Sequence, residues 1–222
     1  MMRAFLLATV GASTWAVAAP VPPPSEKELI AKHWGKPEGE GQFELKGKQL
    51  TLRATGDGPA DMRVTRTVRG DFTARVTLAD VATPAKGDAR QPHSHAGLSI
   101  KGGGYSLSHY LLQLYNHDNN GELYDTPQRS VWTDRFIDAQ GGGGTSLKEV
   151  EQGQTVYFEV TRKDKTVTVS YSFDGKDWAA PQAFGEKLDF PDEVTVSVYL
   201  SHCTCQKLHA TFDGFTITPL KK

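Results

Sequence analysis

From Phe43 onward, apolar side chains recur at every second position, and that period decides what the chain can fold into. Leu50, Leu52 and Ala54 alternate with Thr51 and Arg53; Phe72, Ala74, Val76 and Leu78 alternate with Thr73, Arg75 and Thr77. Val156, Phe158 and Val160 repeat the pattern, as do Val167, Val169, Tyr171 and Phe173, and then Val194, Val196, Val198 and Leu200. Successive side chains on a strand point to opposite faces, so each run lays one face on a core and turns the other to solvent or a groove. No segment after residue 40 holds a helical period. The pattern predicts an all-β chain whose strands pack as a two-sheet sandwich.

The turns between these runs are legible too. Val156–Arg162 and Thr166–Phe173 read as a hairpin joined by Lys163-Asp164-Lys165, and Asp174-Gly175 ends the second strand in a turn. At Asp213-Gly214 the apolar phase slips, because Ala210 and Phe212 precede it while Phe215 and Ile217 follow, which predicts a β-bulge. Ala79–Ser94, Asn116–Gln128 and Asp134–Gln154 read as long connections, the last holding the flexible run Gly141–Gly144.

The N-terminus has a different character. Met1-Met2-Arg3 is followed by an apolar run from Ala4 to Val10, and Ala16-Val17-Ala18 fits the small-x-small rule for signal peptidase. Residues 1–18 are therefore expected to be a cleaved signal peptide, which makes the protein secreted or periplasmic. The apolar stretch is shorter than the roughly 20 residues that span a bilayer, so membrane insertion is not expected. Residues 19–42 read as a Pro-rich spacer and a short helix, in which Ser25 and Glu28 have capping-box spacing and Gly35 and Pro37 end the helix. Residues 43–219 form the sandwich.

Losing Arg3 with the signal leaves 24 basic and 26 acidic residues, a formal charge of −2 in place of −1. A nearly neutral chain carries no electrostatic footprint for nucleic acid or an anionic membrane. Cys203 and Cys205 are the only cysteines; a bridge across one residue would be a strained local clip, not a staple.

Four segments stand in an informative order: Gly70-Asp71-Phe72, Ala96-Gly97-Leu98, the run from Ser170 to Trp178, and Ala210-Thr211-Phe212-Asp213-Gly214-Phe215. Together they resemble the regulation-of-enolase-like family of concanavalin A-like domains, whose members are largely without assigned biochemistry. The resemblance covers roughly Phe43 to Pro219. It implies a jelly-roll sandwich with a concave face able to hold sugars, and it implies no catalytic residues. Ala79–Ser94 and Asp134–Gln154 look like insertions relative to the family's compact pattern.

The chemistry that the residues offer is limited. Glycosidases of this architecture need two carboxylates on one strand about 5 Å apart; Glu149 and Glu151 lie beside a glycine-rich segment, and Glu122 and Asp125 in a loop. No Gly-x-Ser-x-Gly elbow occurs, and Cys203 has no base at motif spacing. Gly121-Glu122-Leu123-Tyr124-Asp125 faintly resembles a loop of the secreted keto-disaccharide hydrolases, which keeps a saccharide-active enzyme as the alternative. His93 and His95 put two imidazoles on one side of an extended chain, a spacing that zinc or copper uses, and His202, Cys203, Cys205 and His209 offer a second cluster. Asp118, Asn120 and Glu122 have odd-position spacing, but Leu123 stands where a calcium hand needs glycine. Calcium held by Asp118 and Asn120 in a looser loop stays open.

Sugars are held by aromatic faces and planar polar side chains. With Tyr110, Leu112 and Leu114 facing the core, Gln113 and Tyr115 face the other way. Lys101 opposes Ile100, Tyr199 opposes Val198, and Trp132 lies in a short polar-flanked strand. Gln113, Tyr115, Trp132, Tyr199 and Lys101 are thus the expected carbohydrate-binding groove. The expected protein is a secreted, non-catalytic carbohydrate-binding or adhesion-type module whose partner is a glycan or polysaccharide. A scaffold without a small ligand is the remaining alternative.

Overall fold

The computed structural model of the protein describes residues 24–55, 60–86, 92–138, 141–164, 166–184, 188–203 and 207–221. The expected signal peptide, most of the Pro-rich spacer and Cys205 lie outside these residues.

Ser25 caps the helix α1 (Glu26–His33): its hydroxyl accepts the Glu28 N–H at 3.3 Å, while Glu28 Oε2 accepts the Ser25 N–H at 2.7 Å. This is the reciprocal capping expected from the spacing. Ile30 and Trp34 are buried, and the Trp34 ring stacks on Phe215 with centroids 6.0 Å apart.

The strands of the described residues follow in order. They are β1 (Lys36–Glu38), β2 (Gln42–Lys46), β3 (Gln49–Arg53), β4 (Ala60–Arg69), β5 (Phe72–Val81), β6 (His93–Gly102) and β7 (Tyr105–Leu114). Then come β8 (Gln128–Ile137), β9 (Gly141–Glu149), β10 (Val156–Lys163), β11 (Thr166–Ser172), β12 (Gln182–Ala183), β13 (Glu193–Cys203) and β14 (His209–Pro219). They form two seven-stranded antiparallel sheets, ordered β1-β4-β13-β6-β7-β8-β9 and β12-β11-β10-β5-β14-β3-β2.

The core lies between the sheets, where the alternation placed it. Leu50, Phe72, Phe158 and Phe212 from the second sheet meet Val64, Leu98, Ile100 and Val198 from the first, all fully buried. Burying each such side chain contributes roughly 1.5–3 kcal/mol. The bulge is present: pairing of β14 with β5 shifts between Asp213 and Thr216, and Gly214 has φ +63°.

Two expectations about connections are corrected. Lys163 pairs with Thr166 and so belongs to the strand, which makes the connection shorter than the three residues expected. More importantly, Asp134–Gln154 is not one long loop. Strand β8 runs on to Ile137, and Gly141–Gly144 pair with it as the start of β9. Glycine shows no alternation because it has no side chain, yet its backbone pairs like any other. At a sheet edge the main chain alone carries this strand.

Candidate functional site

The outward face of the first sheet holds the most concentrated chemistry. Tyr199 of β13, Gly97 of β6, Tyr110 of β7 and Trp132 of β8 stand in one row across four adjacent strands. A Cβ on Gly97 would lie 2.3 Å from His109 O and 2.5 Å from the Tyr110 Cα, so only glycine allows this strand contact. Over it, the Tyr110 and Tyr199 rings meet edge-on, with centroids 6.3 Å apart. His95 stacks on the other side of Tyr110 at 4.6 Å.

Strand β8 supplies the centre. Trp132, Asp134 and Phe136 occupy successive outward positions, an aromatic, a carboxylate and an aromatic on one face. Asp134 clamps its neighbours: Oδ2 accepts the Tyr110 hydroxyl at 2.5 Å and Oδ1 accepts the Trp132 indole N–H at 2.7 Å. Gly144, paired with Asp134, makes the clamp possible, because a Cβ there would lie 1.8 Å from Asp134 Oδ1 and 2.2 Å from Trp132 Nε1. A close approach of this kind is what a glycine within a strand often marks.

Around the clamp the sheet forms a pocket of about 180 Å³ that Asp61, Arg63, His95, Tyr110 and Asp134 help to line. A wider, shallower depression over Phe136 and the glycine strand shares Ser108 and Asp134 with it. Asp61 and Arg63 form an ion pair within the pocket. Phe136 is 47% exposed, whereas Tyr110 and Tyr199 are buried in the floor and Trp132 is half-buried.

Burial, then the neighbouring His93, pushes the His95 imidazole down to about 4. Burial, then the hydrogen bond to Asp134, pushes the Tyr110 phenol far up, and burial does the same to Tyr199. At neutral pH the imidazole is therefore neutral and both phenols keep their protons.

Of the residues expected from sequence, Trp132 and Tyr199 belong to this row. Lys101 shares the outward face and is exposed, paired with Thr195 and Ser106 away from the clamp. Gln113 and Tyr115 are corrections. Gln113 points inward and is fully buried, in phase with Leu107, His109 and Leu111, while Tyr110 points outward. The phase is inverted because two inward positions of β7 are polar and satisfied from inside. His109 Nε2 donates to Ser170 O of the opposite sheet at 3.0 Å, and Gln113 Nε2 donates to Ala82 O at 2.9 Å. Tyr115 lies beyond the strand end, buried, with its hydroxyl on Pro84 O at 3.0 Å.

The metal candidates fare as follows. The His93 and His95 rings lie 5.1 Å apart, with His95 committed to the stack on Tyr110. Asp118 Oδ1 accepts the N–H groups of Asn120 and Glu122 at 2.8 and 2.9 Å, which closes its own loop and lowers its pKa. In the second cluster, His202 is buried, and His209 contacts Asp80 at 3.1 Å on the other sheet. Among the described residues, no group of three or more His, Cys, Asp or Glu side chains is arranged to hold a metal ion. No described helix is long and apolar enough to cross a membrane.

Asp61, Arg63, Tyr110 and Asp134 were not singled out from sequence. The outward direction of Asp61 and Arg63 was available from their alternation with Met62 and Val64. The clamp was not, since it joins residues 24 positions apart.

No known family model matches the sequence, and no curated protein does. Solved structures do. A functionally unknown protein from Saccharomyces cerevisiae superposes with a TM-score of 0.62 at 13% identity, covering 84% of this chain and 97% of its own. A legume lectin-like domain from Entamoeba histolytica gives 0.52 at 10% identity, over 91% of this chain and all 100% of its own. The fold is that of the concanavalin A-like jelly rolls. A polysaccharide lyase of family 18 shares it too, with a TM-score of 0.53 at 8% identity over 84% of this chain and 95% of its own. At these identities the jelly-roll likeness is one of architecture.

Proposed function

We propose that the protein is an exported, non-catalytic module that holds a neutral carbohydrate on the outward face of its first sheet. One observation carries the reading. Strand β8 presents Trp132 and Phe136 on either side of Asp134, whose carboxylate is already oriented by Tyr110 and Trp132. A sugar lays its C–H surface on aromatic faces and donates its hydroxyls to fixed acceptors. Each carboxylate oxygen of Asp134 accepts one protein hydrogen bond and keeps a further lone pair for a ligand. Arg63 is matched by Asp61, which leaves Asp134 as the excess charge and disfavours an anionic guest. Two of the similar folds bear the names of a lectin-like domain and a polysaccharide lyase, which supports the same ligand class.

Binding is favoured over turnover for a chemical reason. A general base works best with a pKa near the operating pH. His95 at about 4 is far below it, and Tyr110 retains its proton beside Asp134. Export is read from the pattern from Met1 to Ala18, and the resemblance to the regulation-of-enolase-like family from the serial order of its motifs.

A glycan array probed with the purified protein, with and without calcium and EDTA, tests this. Retention of neutral glycans in both conditions is expected. Retention of none, or release of a product from a bound sugar, would sink the reading.

A further inference from the structure

The strand register gives the outward face a direction. Beside the aromatic row stands a second row, in which Thr65 of β4, Ser197 of β13, Ser99 of β6, Ser108 of β7, Asp134 of β8 and Gly144 of β9 pair in turn. Apart from Asp134 these positions carry short side chains or none. The row on one side holds Arg63, Tyr199, Tyr110 and Trp132, and the row on the other holds Lys101 and Phe136. Side chains on one face of a sheet stand out from it, so a line of short ones between longer ones is a groove laid across the strands.

The pocket around the clamp and the wider depression over Phe136 join along this line. The first, of about 180 Å³, is lined from β4, β13, β6, β7 and β8. The second, of about 440 Å³, is lined from β7, β8 and β9, and Ser108 and Asp134 belong to both. Six strands spaced ~4.8 Å apart make the groove roughly 24 Å long, which holds several linked sugar rings and far exceeds one. At its β9 end, among the described residues, Gly142 and Gly144 raise no side chain across it, and the Phe136 ring beside them is 47% exposed. Along the floor the half-buried Ser99 and Ser108 offer hydroxyls next to the Asp134 carboxylate.

We propose that this groove receives an interior stretch of a linear polysaccharide, lying across the strands with one of its sugars at Asp134, and not a chain end or a lone monosaccharide. The inference rests on the outward face being a neutral-sugar site and adds the form of the ligand. A site for a chain end closes around that end, whereas this groove continues past Asp134 in both directions. Trp132 and Phe136 offer ring surface on either side of Asp134, and the serine hydroxyls extend the polar floor. Contacts are thus shared among successive sugars, and affinity accumulates with chain length.

Isothermal titration of the purified protein with linear oligomers of glucose, mannose, galactose and xylose, each from one unit to six, tests the assignment. For the sugar that binds, the hexasaccharide is held at least roughly tenfold more tightly than the disaccharide, and opening its terminal ring to the alditol changes that affinity by less than about twofold. Phe136→Ala removes ring surface at the β9 side and lowers the ratio of hexasaccharide to disaccharide affinity several-fold. Affinity already complete at the disaccharide, affinity lost when the terminal ring is opened, or a ratio unmoved by Phe136→Ala would overturn this inference alone and leave a sugar site on the face. Binding of no oligomer would overturn both. The length series is read on the unaltered protein, so it stands whether or not the variant folds.

Discussion

The Tyr110 hydroxyl donates to Asp134 at 2.5 Å from the adjacent strand, and this one contact fixes the floor of the outward-face pocket to its wall. Tyr110 is only 2% exposed, so its hydroxyl has little access to water once the partner is gone. Asp134→Ala leaves that hydroxyl and the Trp132 indole N–H without their acceptor, at a cost of about 1–3 kcal/mol for a buried unsatisfied group. Urea unfolding at neutral pH measures it. An unchanged midpoint would show that the hydroxyl finds water or another partner.

The glycine strand makes a sharper comparison. Gly144→Ala drives a Cβ into the Asp134–Trp132 contact, whereas Gly143, its neighbour, has nothing within 4 Å of the corresponding position. Gly144→Ala should change Trp132 fluorescence and lower glycan affinity, and Gly143→Ala should do neither. Equal effects would mean that chain flexibility, not the space left at Gly144, is what the run supplies.

Buried histidine gives the fold a pH limit. His109 bridges the two sheets, hydrogen-bonded to Ser170 O and Thr133, and burial lowers its pKa to about 4. The unfolded chain takes up this proton near ~6.5. Above that pH neither state is protonated and the full stability is present. As pH falls from ~6.5 towards 4, only the unfolded chain binds the proton, so stability declines, levelling off below the folded value. The loss is on the order of 3 kcal/mol at most for this residue, and His95 acts over the same window. His109→Gln should flatten the difference in unfolding free energy between pH 7 and pH 5. An unaltered difference would assign the pH dependence elsewhere.

Backbone crowding gives a further test. Gly97→Ala places a methyl against main-chain atoms of β7, where no side chain can yield. A loss of about 3 kcal/mol is expected, at the upper end for overpacking. A thermal melt that superimposes on the parent would contradict the close strand approach.

Strand content was legible wherever one face was uniformly apolar. Leu50, Leu52, Phe72, Val196 and Val198 announced the core because their partners across the alternation were polar. Strand β7 failed this test. Leucines stand on both of its faces, and its inward side holds His109 and Gln113, polar groups satisfied by the opposite sheet and by the segment after β5. Those bonds join residues 61 and 31 positions apart, beyond any local pattern. The same limit hid the site. Trp132 and Tyr199 could be given a face from alternation, but their meeting with Tyr110, Asp134 and Gly144 depends on the order of strands in the sheet.

The central claim is that neutral sugar is held by the outward face around β8 and not around Tyr115, which lies buried beyond the end of β7. The most direct measurement is the glycan-array profile of Trp132→Ala beside that of Tyr115→Ala, both checked for folding by circular dichroism. Loss of neutral-glycan binding in Trp132→Ala with retention in Tyr115→Ala is the predicted result. Retention in Trp132→Ala, or loss confined to Tyr115→Ala, would contradict it.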